Sequence, residues 1–368
     1  MKLLFASFSP FPMDVGLPER EPLGGSESCV AYLARQLARN GHDVTLAARL
    51  PDGAPEWLQD VRHVSMETLN DPAFLKGADF DATIALSGPA TAEHFKRRAP
   101  GALHISWLHL TPDQSAMAPL TAMTPYIDCA VFVSRTQRAM VRYDGVSAVI
   151  GNGIAPAFEN MFATAEELRA AKKNRAAYTS MPYRGLHLLV KVIRQTRSKT
   201  HFDVYSAMHT YRKPDADFAG LYDQVKGAPA TRYHGSLAQP VLARELKSAA
   251  FLAYPCAFVE TYCITALEAM AAGLKVISTD LGALRETTLG FADLLPLTAD
   301  MEDAEIVERY TALLEHNIAA FQADPEEWAA ERFAQSQAVN RLCSWRARAA
   351  EWEMLLAQAI LAKRGGKD

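Results

Sequence analysis

Two glutamates eight positions apart, Glu260 and Glu268, stand in the run FVETYCITALEAMAAGLKVISTD and are the residues of this chain best placed to do chemistry. An apolar segment from Phe251 to Tyr254 reads as a strand that breaks at Pro255. An apolar helix is expected from about Tyr262 to Ala272, with Gly273 suited to end it in the left-handed conformation. The first carboxylate then lies in the loop ahead of the helix. The second lies two turns inside it, on a face that helical spacing turns back toward the same crevice. Acceptors placed this way suit a sugar nucleotide, with one on a ribose hydroxyl pair, the other on the sugar, and the amides of the helix start holding the diphosphate between them. Glutamates around a helix are commonly just solvated. Here Ala266, Leu267, Ala269, Met270 and Ala271 surround Glu268 with small or apolar neighbours, and an ionised group buried among them needs a partner.

These side chains are positioned by alternating strands and helices, which points to parallel sheets with helices on both faces. Strands are expected near Lys2 to Ser7, Asp43 to Ala47, Ala82 to Leu86, His104 to Trp107 and Cys129 to Val133. A second set is expected near Phe202 to Tyr205, Phe251 to Tyr254, Leu274 to Ser278 and Phe291 to Leu295. The segment Ile150 to Phe158, with two glycines and a proline, reads as a linker. A length of 368 residues also favours two domains over one core.

With 49% hydrophobic and 22% charged residues the composition is that of an ordinary globular protein. The net charge of −4 argues against a general nucleic-acid binder. Cys29, Cys129, Cys256, Cys263 and Cys343 are odd in number and scattered, which suggests reduced thiols and a cytoplasmic setting. No stretch approaches membrane-spanning length, and Pro10 and Pro12 interrupt the apolar start too early for a signal peptide.

Several further motifs occur in a specific order. Gly24-Gly25-Ser26-Glu27 opens a helix that ends in Asn40-Gly41-His42-Asp43-Val44. Val133-Ser134-Arg135 and Gly151-Asn152-Gly153-Ile154 lie midway, followed by Arg184-Gly185-Leu186, His234-Gly235-Ser236-Leu237 and Ser344-Trp345 through Trp352. Together with the carboxylate pair and its Leu-Glu-Ala-Met-Ala-Ala-Gly core, the set resembles the retaining GT-B glycosyltransferases of glycosyltransferase family 4, over nearly the whole chain. The resemblance implies two Rossmann-like domains facing a shared cleft. They would be an N-terminal acceptor domain over 1–153, a nucleotide-sugar domain over 154–345, and a final helix over 346–368 packing back on the first.

By the same resemblance, Glu260 would lie near the sugar ring and Glu268 on the ribose. The amides of Tyr262, Cys263 and Ile264 would contact phosphate, and Leu237 would meet the base through its backbone. His109, following the apolar strand at Trp107, would hydrogen-bond a sugar hydroxyl, although a lone histidine in such a place is more often structural. Arg184 matches the family's second basic residue, which offsets the charge of the leaving diphosphate. The first basic residue falls at or near Met181, a departure for which Arg212 and Lys213 are the available substitutes. Gly24 and Gly25, after an unusually long loop from Ser9, would let backbone amides approach a phosphate or sugar, with the helix start at Ser26 adding its dipole.

No metal is expected. Asp79-Phe80-Asp81 and Asp215-Ala216-Asp217 read as turn residues, leaving amides and arginine to neutralise the diphosphate. The co-substrate implied is a nucleotide-diphosphate sugar, UDP- or GDP-linked, with a saccharide, lipid-linked or small-molecule acceptor. The basic run Phe95-Lys-Arg-Arg98 is short for a membrane-facing patch at the inner leaflet, and a solvated helix end is favoured over weak peripheral contact. A nucleotide-sugar epimerase or phosphorylase on the same architecture, and a catalytically quiet binding subunit, are the alternatives.

Overall fold

The computed structural model describes residues 1–365. The chain forms two compact units, Met1–Gly153 together with the chain from Trp345 onward, and Ile154–Ser344. Among the described residues no helix is long and apolar enough to cross a membrane.

The first unit holds β1 (Lys2–Ser7), β2 (Asp43–Ala48), β3 (Trp57–Leu58), β4 (Val61–Ser65), β5 (Ala82–Leu86), β6 (Leu103–Leu108), β7 (Cys129–Phe132) and β8 (Ser147–Val149). They make one sheet in the order β3-β4-β2-β1-β5-β6-β7-β8, parallel except for β3 against β4. Leu3, Leu4 and Phe5 are wholly buried, as strands covered on both faces require. The β3–β4 hairpin escapes a sequence reading because its two-residue turn is Gln59-Asp60, both left-handed at φ 51° and 63°, rather than the usual glycine-bearing pair. The loop from Ser9 is ordered by packing and contains a helical turn, Leu17–Arg20. Met13, Val15 and Leu17 are buried, and Asp14 accepts from Gly16 N at 2.8 Å and from Arg20 at 2.5 Å. Trp345 groups with this unit, tilted against Tyr32, and its helix carries Trp352 edge-on to Trp107 at 5.1 Å.

The second unit holds β9 (Lys173–Tyr178), β10 (His201–Val204), β11 (Thr231–Tyr233), β12 (Ala249–Tyr254), β13 (Lys275–Thr279) and β14 (Asp293–Leu295), all parallel, in the order β11-β10-β9-β12-β13-β14. Strand β9 is central, yet its sequence, Lys-Asn-Arg-Ala-Ala-Tyr, begins with three polar residues that hide it. Tertiary pairing accommodates them, since Arg175 bridges to Asp203 on β10 at 2.6 Å and donates to Ser248. The chain moves outward in opposite directions from β9 and β12. Their carboxyl ends are therefore the topological switch point, where open parallel sheets present a crevice.

The helix carrying Glu268 spans Ile264–Ala271, two residues shorter at its start than the spacing suggests, because Cys263 is extended at φ −90°, ψ 90°. Gly273 follows it at φ +71°. Its last carbonyls are met from outside, by Gln335 on Met270 O at 3.1 Å and Ser336 on Ala271 O at 2.6 Å, both from the helix Pro325–Cys343.

Candidate functional site

At the switch point of the second sheet, the loop after β9 supplies Arg184 and the loop after β12 supplies Glu260. The two loops can meet only because particular backbone positions lack side chains. Gly185, at φ +123°, sits where a Cβ would lie 2.0 Å from Pro255 O, and Ala257 N donates to Arg184 O. Gly282 is as close to Glu260, whose carbonyl a Cβ there would approach to 2.3 Å, and Ala283 N donates to that carbonyl at 2.7 Å. Thr265 Oγ1 donates to Thr179 O at 2.9 Å and ties the start of the Glu268 helix to the β9 loop.

Within this frame Arg184 Nη1 donates to both oxygens of Glu260, at 2.8 and 3.1 Å. Tyr254, the last residue of β12, donates its hydroxyl to Glu260 Oε1 at 2.6 Å. The guanidinium also lies over the Phe258 ring, 4.5 Å from its centroid, with Tyr183 on its flank at 5.8 Å. Burial works against the arginine's charge, but Glu260 and the neighbouring tyrosines outweigh it and raise its pKa well above the ordinary value. Burial, then the Glu260 charge, raises Tyr254 in the same way, so the phenol remains a proton donor. Burial pushes the adjacent Cys256 thiol up to about 12, which removes it as a nucleophile at neutral pH.

Glu268 is 5% exposed and has no arginine. Its Oε1 accepts from Ala155 N at 3.2 Å, and the Gln239 amide also donates to it. Burial dominates and lifts its pKa from 4.5 to about 7. Of the three amides expected at phosphate, only that of Ile264 belongs to the helix. Cys263 is the cap residue and Tyr262 lies in the loop before it, with the Cys263 backbone extended. Leu237, half-buried, follows Gly235 at φ +72° and precedes the helix Gln239–Leu246. Met181 is buried, and Tyr178 donates to its carbonyl at 2.8 Å.

The remaining expected residues lie in the first unit. Gly24 caps the helix Gly25–Arg39 with φ −59°, ψ 148°, a conformation open to any residue, so backbone conformation does not call for glycine there. His109 is buried just beyond β6, 4.7 Å from Trp107, with Nε2 3.2 Å from Asn152 Oδ1. Burial lowers its pKa to about 4 despite that hydrogen bond, which leaves an uncharged imidazole at neutral pH and suits a hydrogen bond rather than proton transfer.

In the two Asp-x-Asp sequences the second and first carboxylates respectively, Asp81 and Asp215, are engaged within the protein, while Asp79 and Asp217 are exposed. Asp81 accepts from Lys2 N at 2.8 Å and pairs with Arg364, while Asp215 accepts from Met208 N and Tyr222 Oη, each at 2.7 Å. The basic run on the helix Ala92–Arg98 is likewise engaged: Lys96 with Asp128, Arg97 with Glu93 and Arg98 with His94. Tyr254, Gln239 and the Ala155 amide are the residues that sequence reasoning missed. Tyr254 alone left a signal, as a phenol ending an apolar strand.

Residues 175–316 match the family model described as "Glycosyl transferases group 1". No curated protein matches the sequence. Among solved structures, a sucrose-phosphate synthase from Thermosynechococcus elongatus is similar with a TM-score of 0.74 at 16% identity, over 98% of this chain and 100% of that one. HepE of Anabaena, solved in complex with UDP-glucose, follows at 0.70 and 16%, over 97% and 100%. A glycosyltransferase from Rickettsia africae gives 0.68 and 14%, over 98% of each chain. The protein thus has the GT-B fold of two parallel-sheet α/β units, and its second unit carries a glycosyl transferases group 1 domain.

Proposed function

We propose that the protein is a retaining glycosyltransferase that moves a hexose from a nucleotide-diphosphate donor, UDP- or GDP-linked, to a saccharide, lipid or small-molecule acceptor without a metal, in the cytoplasm. The observation that carries this reading is the Arg184–Glu260–Tyr254 cluster at the sheet switch point, with Glu268 on the adjoining helix. HepE, of the same fold, binds UDP-glucose, which supports the donor class.

In this reading Glu268 accepts from the ribose diol, and the Ile264 helix start and Arg184 meet the diphosphate. Glu260 holds the sugar. The acceptor hydroxyl attacks the anomeric carbon from the leaving-group face, the bond from that carbon to the phosphate oxygen breaks, and the departing phosphate takes the hydroxyl proton. Acceptor recognition belongs to the first unit, where His109 and the Gly24-Gly25 helix start are the candidate contacts.

A thermal-shift screen of UDP- and GDP-sugars tests the donor. A ligand at a hundred times its dissociation constant adds about 2.7 kcal/mol of apparent stability. Stabilisation by one base series, weakened by Glu268→Gln in calorimetric titration, is the expected result. No shift with any nucleotide sugar would overturn the reading, and binding without turnover over a broad acceptor panel would leave a binding subunit instead.

A further inference from the structure

The first unit has another chemically distinctive surface, at the amino end of its sheet. Lys2 and Asp43 are register partners there. One pleat further on, Thr45, Arg62 and Trp57 form a row across β2, β4 and β3. Partners in such rows project from the same face. The neighbouring helix, Pro72–Gly77, is too short to cover that face, and a cavity of about 340 Å³ remains among Lys2, Asp43, Thr45, Trp57, Arg62 and Phe74. Trp57 is 58% exposed, whereas Trp107, Trp328, Trp345 and Trp352 are between 0% and 6% exposed. A lone exposed tryptophan is common on a protein surface; this one walls a cavity lined by charged and polar side chains.

The polar groups around it select the ligand. The Asp43 carboxylate disfavours phosphates and other anions. The Lys2 ammonium, poised over the Phe80 ring, and Arg62, bridged through Nε to Glu56, disfavour cations. What fits is a neutral molecule with one flat carbon face and many groups that both donate and accept hydrogen bonds. We propose that this cavity is a saccharide-binding subsite, taking a neutral hexose unit stacked on Trp57 with its hydroxyls bonded by Asp43, Thr45, Lys2 and Arg62. It shares no residue with the proposed donor site and does not depend on that reading.

Because Trp57 alone among the five tryptophans is open to solvent, acrylamide quenching of the intact protein reports on it selectively. Maltohexaose, cellohexaose and laminarihexaose are the probes. At least one should protect Trp57 from acrylamide saturably, with an affinity weakened about tenfold by Asp43→Ala; in calorimetric titration, which does not depend on the fluorophore, binding of the same sugar should be lost in Trp57→Ala and kept within about threefold in Trp57→Phe. The proposal is overturned if all three sugars leave the quenching unchanged, if calorimetric binding of the sugar survives undiminished in Trp57→Ala, or if uridine or inorganic phosphate protects Trp57 and the sugars do not.

Discussion

Glu260 and Glu268 are buried almost equally, at 3% and 5% exposure, yet their surroundings are opposite. Glu260 receives two hydrogen bonds from a guanidinium and one from a phenol. Glu268 receives a backbone amide and a carboxamide, and its pKa rises to about 7. Burial alone therefore does not set what a carboxylate can do; its partners do. The first acid is held as half of an ion pair. The second is poised near neutrality and is available to gain hydrogen-bond donors from a ligand.

The largest expected effect strikes the paired acid. Arg184→Ala leaves the Glu260 carboxylate buried without its cation and should cost about 4 kcal/mol in urea unfolding. A loss below about 1 kcal/mol would show that water already screens the pair.

Glu268→Gln should act with the opposite sign. The folded-state pKa of about 7 lies above the usual 4.5, so the carboxyl contributes nothing below pH 4.5 and destabilises progressively as pH rises to 7. Above pH 7 the penalty levels off at roughly 3 kcal/mol. The glutamine variant should match the wild type at pH 4 and exceed it in stability at pH 8; equal unfolding midpoints at pH 8 would contradict the raised pKa.

A third measurement addresses Glu268 as a ligand group. If a ribose diol donates to its ionised form, binding below pH 7 must release a proton. The affinity for the nucleotide sugar that stabilises the protein most should then fall about tenfold between pH 8 and pH 6. A flat profile in wild type, or one that persists in Glu268→Gln, assigns the pH effect elsewhere. The smallest effect is expected from Tyr254→Phe, which removes one hydrogen bond of three from Glu260 and should cost about 1 kcal/mol of stability. An effect as large as that of Arg184→Ala would mean that the phenol, rather than the guanidinium, chiefly holds the acid.

Much of this was legible locally. Strand β5 and the apolar cores of β1, β2, β6, β7 and β12 follow from continuous apolar runs, and Gly273 at φ +71° ends the Glu268 helix as its sequence suggests. Strand β9 was not legible, because its polar first half is stabilised by Asp203 and Ser248 from distant segments. The start of the Glu268 helix was placed too early, because apolar periodicity cannot reveal that Cys263 is extended.

By itself the sequence determined the alternation of elements, the loop and helix that carry the two acids, and the motif order that points to a glycosyl transferases group 1 domain, because apolar period, glycine and proline act over a few residues. Only the tertiary structure decided which acid is paired. The partners of Glu260 come from the loop after β9 and the end of β12, and those of Glu268 from Gln239 and from Ala155, the latter 113 positions away in the chain. Such contacts depend on how strands order themselves in a sheet and on how closely Gly185 and Gly282 let backbones approach, and no local pattern of residue types encodes that distance.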